Sequence, residues 1–330
     1  MLRAGAVWAV AVVPRSDPAG LAAALVHSDG ANVLALGRHG FRGWSAPECA
    51  VLRSGPAEAA AEVVETAAAE LLSGFPEAEI IGFRGPVIAG AEAGSGAVLA
   101  EVLGQTVVSD FRSSDRALGG QGGPLSPFFH HALARFKREA GPVAFLTLGS
   151  RAALSWVDPA TAGPEAAGAC MGFDAGPCAP VGKGSGQPDR AALARMLAAP
   201  FFLRMPPKLL DDGALAALVR ALERRGRSSL ATRIEATAEA VARGFEHFPA
   251  PPARLLVAGE GRANPALIAR LAALLPCPVQ TVDAVGLPGD ALAAAALAHL
   301  ALRVARGLAT SGPSTTGVAA LVGGGQISRP

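Results

Sequence analysis

Three short apolar segments at the start of the chain constrain its fold more than any other feature of the sequence. They cover residues 6–13, 21–27 and 32–36, and the turn-rich sequences SDPAG and HSDGAN separate them. Segments of this length and composition, bounded by such residues, are typical of β-strands. Because connections this short join strands that run in opposite directions, the sequence predicts an antiparallel meander of three strands.

Helices and single strands alternate along the rest of the chain. The Ala-rich sequence AEAAAEVVETAAAELL predicts a helix that begins after Pro56 and ends before Gly74. Further strands are predicted at residues 79–82, 106–109, 143–148 with a continuation through 153–157, 254–258 and 278–282, and further helices at 191–198, 213–224, 229–245, 264–275 and 290–306. Residues 172–188 are rich in Gly and Pro and are predicted as a loop. A meander followed by this alternation predicts α/β domains with mixed sheets.

The net charge argues against a nucleic-acid partner. The chain of 330 residues has 29 Lys and Arg against 27 Asp and Glu, a formal charge of +2. A protein that binds nucleic acid by charge needs a positive excess that this balance does not provide. The length corresponds to about two domains of ordinary size, and no uncharged apolar run approaches the roughly 20 residues of a membrane-spanning helix. We therefore expect two domains and no nucleic-acid or membrane partner.

The cysteines and the N-terminus favour a cytoplasmic protein. Cys49, Cys170, Cys178 and Cys277 form no CxxC pair, and none has a histidine at the spacing of a zinc site. This pattern favours reduced thiols and no zinc. The start of the chain has the outline of a signal peptide, but PRSD follows it instead of a small-residue cleavage site. Export is therefore the weaker interpretation.

The densest group of polar side chains lies in residues 109–131, SDFRSSDRALGGQGGPLSPFFHH. Asp110, Arg112 and Asp115 follow a predicted strand, and Gly120 and Gln121 lie in the glycine-rich stretch after them. Glycines let the backbone pass close to a ligand, and the charged side chains can bind hydroxyl or carboxylate groups. The alternative is a connecting loop in which Asp and Arg pairs only fix its shape. We favour a ligand-binding loop, because such residue mixtures are more common there.

A second candidate is Asp174 in the sequence MGFDAGP. An Asp at the end of a strand, with glycines on both sides, can act as a general base that faces a cleft. The alternative, equally open, is an Asx turn. The nearby sequence GPCAPVGKGS is not a phosphate-binding P-loop, because five residues separate Gly176 from Gly182 and Gly184 replaces the expected Ser or Thr.

Two further sequences carry weaker signals. Gly259 and Gly261 end a predicted strand just before a helix that Asn264 begins, and such a turn offers amide groups to an anion or a nucleobase. A glycine turn of this kind is as often structural. His130 and His131, beside two phenylalanines, are predicted as packing residues in a loop and not as metal ligands.

Taken in order, these sequences resemble the anhydro-N-acetylmuramic acid kinase family, which belongs to the sugar kinase, hsp70 and actin superfamily. VVSDFRSSDRALGGQGGPLSPFFH resembles the family's sugar-side loop, and GFDAGP resembles its catalytic aspartate motif. FFLRMPPK, AGEGRANPALIARLAALL, VGLPGDA and TTGV match further family segments in the same order. The resemblance extends over nearly the whole chain.

The resemblance implies an actin-like, ribonuclease H-like fold of two α/β domains with mixed sheets and a cleft between them. The domains would be residues 1–125 with 305–330, and residues 126–304. The resemblance also implies that the protein uses ATP and Mg²⁺ to open 1,6-anhydro-N-acetylmuramic acid with water and to phosphorylate it to N-acetylmuramic acid 6-phosphate, in the recycling of the cell wall. The amino sugar and ATP would be its small-molecule partners, and the family's tendency favours a homodimer.

The resemblance assigns roles to individual residues. Asp174 would be the base that activates the attacking water. The sugar side would be shaped by Asp110, Arg112, Asp115, Gly120 and Gln121. The nucleotide would contact hairpin and turn residues, namely Arg15, Ser16, Gly20, Gly149, Ser150, Gly259 and Gly261. No residue is assigned as a direct metal ligand.

The chain departs from the family pattern at both phosphate-binding hairpins. Where the family has Ser-Gly-Thr-Ser-x-Asp-Gly-x-Asp, this chain has PRSDPAGLA, so Arg15 replaces a Gly, and Ala19 and Ala22 replace both aspartates. The second hairpin has TLGSRAA in place of Asn-x-Gly-Gly-x-x-Asn, Ala293 replaces a Glu, and RGPV replaces His-Gly-Gln-Thr. Two hypotheses remain open. Either Arg15 and Arg151 restore contacts to the phosphates in an active kinase, or the chain is an impaired pseudokinase that retains a sugar or partner site.

Overall fold

The computed structural model of the chain describes residues 5–88, 90–182, 186–223 and 228–330. Its strands are β1 (Val7–Ser16), β2 (Ala19–Ser28), β3 (Val33–Gly43), β4 (Ile80–Phe83), β5 (Val87–Ile88), β6 (Ala91–Glu92), β7 (Val107–Ser109), β8 (Val143–Leu148), β9 (Arg151–Val157), β10 (Cys170–Pro177), β11 (Leu255–Ala258), β12 (Val279–Thr281) and β13 (Gln326–Ser328). Its α-helices are α1 (Ala46–Ser54), α2 (Ala57–Ser73), α3 (Gly96–Leu103), α4 (Ser113–Ala117), α5 (Ser126–Phe136), α6 (Arg190–Leu197), α7 (Asp212–Ala221), α8 (Leu230–Phe245), α9 (Pro265–Leu274), α10 (Leu292–Ala305) and α11 (Pro313–Thr316).

The chain divides into two compact units, each with a sheet and a core of its own. The first unit comprises Met1–Gly122, Asp290–Ser311 and Ala320–Pro330, and the second comprises Gly123–Gly289 and Gly312–Ala319. The chain thus returns to the first unit at Asp290, earlier than the expected residue 305. As a result, α10 belongs to the first unit.

The sheet of the first unit begins with the antiparallel meander that the sequence predicts, formed by β1, β2 and β3. β4 lies parallel to β1, β7 lies parallel to β4, and β13 pairs with β7 in the antiparallel direction. The order of the sheet is therefore β13-β7-β4-β1-β2-β3. Because β1, β4 and β7 run in one direction, their carboxyl ends meet at one edge of the sheet, where ligands of α/β proteins usually bind.

The sheet of the second unit repeats this arrangement. β8, β9 and β10 form an antiparallel meander, β11 lies parallel to β8, and β12 lies parallel to β11. The order β10-β9-β8-β11-β12 corresponds to β3-β2-β1-β4-β7 of the first unit. A three-stranded meander extended by two parallel strands, present twice, is the ribonuclease H-like topology of actin-like proteins. The predicted fold class, α/β with mixed sheets, is confirmed.

Each core is built from Ala-rich helices packed on a sheet. In the first unit, α10 is buried on nearly all sides and packs against β1, β2 and β4. Its small side chains allow this close approach, since even a single added Cβ at Gly82 of β4 would crowd Ala301. In the second unit, Val241 of α8 and Leu271 of α9 are fully buried in the core beneath β8 and β11.

The structure corrects three sequence-based predictions about local structure. Residues 153–157 do not continue β8 but lie in β9, because the chain reverses at Gly149 and Ser150. Residues 172–177 belong to β10 instead of a loop, since their backbone pairs with β9. His130 and His131 are buried packing residues, as predicted, but they lie in α5. Residues 1–4 of the signal-like start, residues 183–185 of the predicted loop and residue 224 at the end of a predicted helix lie outside the described residues.

The apolar segment near the N-terminus is β1, which pairs with strands on both sides. Within the described ranges, no helix has the length and apolar character that crossing a membrane requires. All four cysteines carry free thiols.

Candidate functional site

Asp174 lies in β10 at a β-bulge, where the pairing with β9 shifts register between Asp174 and Gly176. Its side chain is buried, with 2% exposed. The main-chain N–H of Asp174 donates to Lys208 O at 2.8 Å, and its Oδ2 accepts a hydrogen bond from the Leu210 N–H at 2.8 Å. A bulge turns a strand residue out of the regular alternation, and bulges are common beside active sites. The segment that contains Lys208 and Leu210 therefore fixes both the backbone and the carboxylate of Asp174.

Lys208, whose main-chain oxygen accepts from Asp174 N, also carries a buried side chain. Only 3% of the residue is exposed, its Nζ lies 3.4 Å from His247 Nε2, and it sits over the rings of Phe173 and Phe201 at 5.8 and 5.0 Å. Burial lowers the pKa of Lys208, and the charge of Arg204 lowers it further. Burial followed by the charge of Lys208 lowers the pKa of His247. A neutral His247 is required to accept the hydrogen bond from the Lys208 ammonium.

The turn between β8 and β9 and the turn after β11 come together in the second unit. Gly149 and Ser150 form the exposed tip of the hairpin, and a Cβ at Gly149 would meet no atom within 4 Å. Gly259, with φ of +80°, and Gly261 lie against Leu148, which a Cβ at either glycine would crowd. Gly259 and Gly261 therefore have a structural role in packing the hairpin, whereas the chain leaves open space at Gly149.

The turn between β1 and β2 is closed by its own arginine. Arg15 Nη2 donates to Asp17 O at 2.8 Å, lies 3.2 Å from Asp290 Oδ1, and its guanidinium sits 5.5 Å from the centre of the Phe41 ring. Ser16 stands at the end of β1, beside Arg15. A Cβ at Gly20 would overlap the Arg42 carbonyl oxygen, so this glycine is needed for the packing of β2 on β3. The arginine that replaces the family's glycine is thus engaged within the first unit.

The loop after β7 is held by a buried carboxylate. Asp115 is 0% exposed, and its oxygens accept from the Gly122 N–H at 2.7 Å and the Ser311 Oγ at 2.6 Å. A Cβ at Gly120 would overlap that carboxylate, so only glycine fits there. Asp110 has φ of +47°, and its side chain accepts from Ser113 N and Oγ, which anchors the first turn of α4. Left-handed backbone at a non-glycine residue is often found at functional sites.

Arg112 and Gln121 are the other two candidate residues in this loop. Arg112 immediately precedes α4, and Gln121 lies between Gly120 and Gly122 in the glycine-rich stretch. Asp110, Arg112, Asp115, Gly120 and Gln121 therefore all lie in the first unit, beside the carboxyl end of β7. Asp174, Gly149, Ser150, Gly259 and Gly261 lie in the second unit.

Arg84 is a candidate that the motif analysis did not single out as a site residue. It follows β4 directly, and its N–H donates to Val12 O at 3.1 Å. Burial lowers the pKa of Arg84, and the charge of Glu92 opposes this effect. Loss of hydration raises the pKa of Glu92, while the charges of Arg84, Arg112 and Arg116 lower it and that of Asp110 raises it. The register of β4 and β7 could have revealed this cluster, but register is not visible in one sequence.

The described residues contain no cluster of three or more His, Cys, Asp or Glu side chains that could hold a metal ion. Mg²⁺ in phosphoryl-transfer enzymes is bound largely by the nucleotide phosphates and water, with one or two carboxylates. Within the described residues, a magnesium ion would therefore depend on the phosphates and water of a bound nucleotide for most of its ligands.

Comparison with known proteins places the sequence in a family. The family model for anhydro-N-acetylmuramic acid kinase matches residues 88–181 and 182–329. The chain belongs to the anhydro-N-acetylmuramic acid kinase family. A family member from Cereibacter sphaeroides that bears this name is 48% identical to the chain, and the alignment covers 100% of the chain and 98% of the relative. Relatives of the same name from Ruegeria sp. and Jannaschia sp. are 41% and 42% identical, covering 99% and 98% of the chain and 96% of each relative.

Membership in the anhydro-N-acetylmuramic acid kinase family confirms the resemblance drawn from the sequence motifs. The TTGV segment of that resemblance begins in the last two residues of α11, Thr315 and Thr316, which are fully buried and donate to Gly312 O. This helix packs against β10, the strand that carries Asp174. The segment therefore supports the strand of the candidate base.

Proposed function

We propose that the protein is an ATP-dependent kinase that opens 1,6-anhydro-N-acetylmuramic acid with water and phosphorylates it to N-acetylmuramic acid 6-phosphate. The observation that carries this proposal is the buried carboxylate of Asp174 at a bulge of β10, held by the Leu210 N–H. The identity of 48% over the whole chain to a relative named for this kinase supports it. We place the reaction in the cytoplasm and expect a homodimer.

The reaction changes two bonds of the sugar. Asp174 accepts a proton from water, and the resulting hydroxide attacks the anomeric carbon of the anhydro ring. The bond from that carbon to the bridging oxygen breaks, and the oxygen, still attached to carbon 6, attacks the γ-phosphorus of ATP. ADP leaves, and the proton remains on Asp174 until solvent removes it. The sugar thereby gains a hydroxyl group at carbon 1 and a phosphate at carbon 6.

Asp174 is arranged to act as this base with little reorganisation. The Leu210 N–H fixes the position of Oδ2, and the main chain of Asp174 is tied to Lys208 O. A carboxylate held in one orientation need not lose rotamer freedom when the water binds.

ATP contacts the hairpin tip of β8 and β9 in this proposal. The open space at Gly149 lets a phosphate approach the backbone of Gly149 and Ser150 without a steric barrier. Mg²⁺, when bound with the nucleotide, neutralises charge on the phosphates. In the first unit, Asp110, Arg112 and Gln121 are the side chains that we assign to the sugar, with Asp115 and Gly120 fixing the loop that carries them.

One observation favours a second candidate function, an impaired pseudokinase that binds sugar without transferring phosphate. Arg15 is tied to Asp17 O and Asp290, and Arg151 Nη2 lies 2.6 Å from Asp212 Oδ1. Each arginine therefore already has a carboxylate partner, and it would have to exchange that partner for a phosphate. Loss of several preorganised phosphate contacts would raise the barrier by several kcal/mol, on the order of 10²–10³ in rate for each contact.

A coupled assay of ADP release separates the two functions. The purified protein is given ATP, Mg²⁺ and 1,6-anhydro-N-acetylmuramic acid, and the product is identified by mass as the sugar plus water and phosphate. We expect turnover that falls by at least 10³-fold in Asp174→Asn and is retained in Asp158→Asn, a matched change in the same unit whose Oδ1 accepts from Ala160 N. Sugar binding without product in the wild-type protein would overturn the kinase and support the pseudokinase.

A further inference from the structure

The backbone places Arg84 at the ligand-binding edge of the first sheet. Arg84 follows β4, which runs parallel to β1 on one side and to β7 on the other. Gly82 pairs with Val108, so the same register, continued by two residues, sets Arg84 beside Asp110. Arg84 therefore lies next to the loop that carries the candidate sugar-binding residues.

A small hairpin brings a carboxylate back to Arg84. β5 and β6 pair with each other, and Ala93 N donates to Pro86 O at 2.8 Å. A Cβ at Gly85 would overlap Ala93 O, so only glycine allows the two segments to approach this closely. The hairpin thus places Glu92, which precedes Ala93, close in space to the segment that follows Arg84.

The resulting cluster has an excess of positive charge. Glu92 interacts electrostatically with Arg84, Arg112 and Arg116 and with one other acid, Asp110. These five side chains, three guanidinium groups and two carboxylates, sum to a formal charge of +1. Asp110 also accepts two hydrogen bonds from Ser113, which takes up part of its capacity.

The Arg84 guanidinium forms no hydrogen bond or ion pair with any of the residues described, and the charge of Glu92 acts on it. The residue is partly buried. A guanidinium withdrawn from water without an acceptor is unfavourable, and a bound anion would remove that penalty. The planar fork of arginine matches a carboxylate through two parallel hydrogen bonds.

We propose that Arg84 binds the carboxylate of the sugar substrate and thereby selects muramic-type sugars, which carry a lactyl ether carboxylate, over glucosamine-type sugars, which lack it. This inference rests on the proposed function, because it names how the same site recognises its substrate. In this chain the segment Arg84–Val87, RGPV, stands where the family pattern has His-Gly-Gln-Thr, so Arg84 is a departure from that pattern. A phosphate of the nucleotide is the other oxyanion that a guanidinium could hold.

Titration calorimetry with two sugars tests the assignment. The probes are 1,6-anhydro-N-acetylmuramic acid and 1,6-anhydro-N-acetylglucosamine, which share the ring and differ in the lactyl group. Arg84→Gln should weaken binding of the acid by roughly tenfold to a hundredfold and change binding of the neutral sugar by less than about threefold. Arg84→Lys keeps the charge but loses the planar fork, so its affinity for the acid should lie between that of the wild type and that of Arg84→Gln. Arg53→Gln, an exposed change on α1, serves as the control and should behave as wild type.

Each alternative outcome has a definite meaning. Equal losses for both sugars in Arg84→Gln would overturn the assignment, as would a loss of affinity for an ATP analogue with sugar discrimination unchanged, which indicates a phosphate site. A wild-type protein that binds neither sugar would overturn both this inference and the proposed function. Discrimination that depends on Arg84 in a protein without phosphate transfer would support this inference and overturn the kinase.

Discussion

Asp115 should act as the anchor of the loop after β7, and its removal should destabilise the first unit in a graded way. The hydrogen bond from Ser311 Oγ to Asp115 Oδ2 measures 2.6 Å, and both residues are 0% exposed. A buried hydrogen bond to a charged group contributes about 1.5–3 kcal/mol. Ser311→Ala should therefore lower the free energy of unfolding by about 2 kcal/mol.

Asp115→Ala removes more than this single bond. It also deprives the buried Gly122 N–H of its acceptor at 2.7 Å, and an unsatisfied buried donor costs about 1–3 kcal/mol. The total loss should be about 3–5 kcal/mol. Asp115→Asn keeps one carbonyl oxygen and should lie between Ser311→Ala and Asp115→Ala.

Tryptophan fluorescence can report the first unit alone. The chain has three tryptophans, and Trp8 and Trp44 lie in the first unit while Trp156 lies in the second. Urea unfolding in a Trp156→Phe background therefore follows the first unit, and Ser54→Ala, an exposed change on α1, is the control with an effect below about 0.5 kcal/mol. The reasoning is refuted if Ser311→Ala leaves the midpoint unchanged, or if Asp115→Ala is no more destabilising than Ser311→Ala.

Three further predictions concern the second unit. Burial lowers the pKa of His130 to about 3 from its ordinary 6.5. Between these two values the unfolded chain binds a proton that the folded chain does not bind, so the free energy of unfolding decreases as the pH is lowered, by up to about 1.4 kcal/mol per pH unit. His130→Phe keeps an aromatic ring on Phe145 and should reduce this loss of stability at acid pH, measured by Trp156 fluorescence in a chain whose Trp8 and Trp44 are replaced by Phe. An unchanged dependence on pH would contradict this. Lys208→Met should raise the pKa of His247 in an NMR titration, because the charge of Lys208 helps to lower it; a pKa that stays fixed would assign the whole effect to burial. Gly149→Ala should leave the stability within about 0.5 kcal/mol while it weakens binding of an ATP analogue, whereas Gly259→Ala should destabilise the unit by about 1–3 kcal/mol, since its Cβ would crowd Leu148 at a positive φ. Unaltered nucleotide affinity in Gly149→Ala would remove that residue from the nucleotide site.

The sequence was sufficient to predict the parts of the fold that depend on neighbouring residues. The N-terminal meander follows from apolar segments joined by short turns, and α2 follows from Ala-rich periodicity between Pro56 and Gly74. α5 was not predicted, because its sequence SPFFHHALARF is buried on most sides and lacks the polar face that marks a surface helix. The strand β10 was hidden by its glycines, which are uncommon in strand interiors.

Some residues of the candidate site could be identified from local sequence, and others could not. Asp174 and the loop from Asp110 to Gln121 were identified from motifs, because their residue types stand together in the sequence. The partner of Asp115, Ser311, lies 196 residues further along the chain, and no local pattern connects the two. Arg84 and Glu92 became neighbours only through the register of β4 and the hairpin of β5 and β6.

The division of the first unit into separated segments has a consequence for synthesis on the ribosome. β1 to β7 emerge first, but α10, which packs against β1, β2 and β4, follows only after residues 123–289. At a synthesis rate of ~5–20 residues per second, that delay is roughly ten to thirty seconds. During this time most of the second unit can fold, while the apolar face that α10 will cover remains available to chaperones. We therefore expect the core of the second unit to form before α10 completes the core of the first.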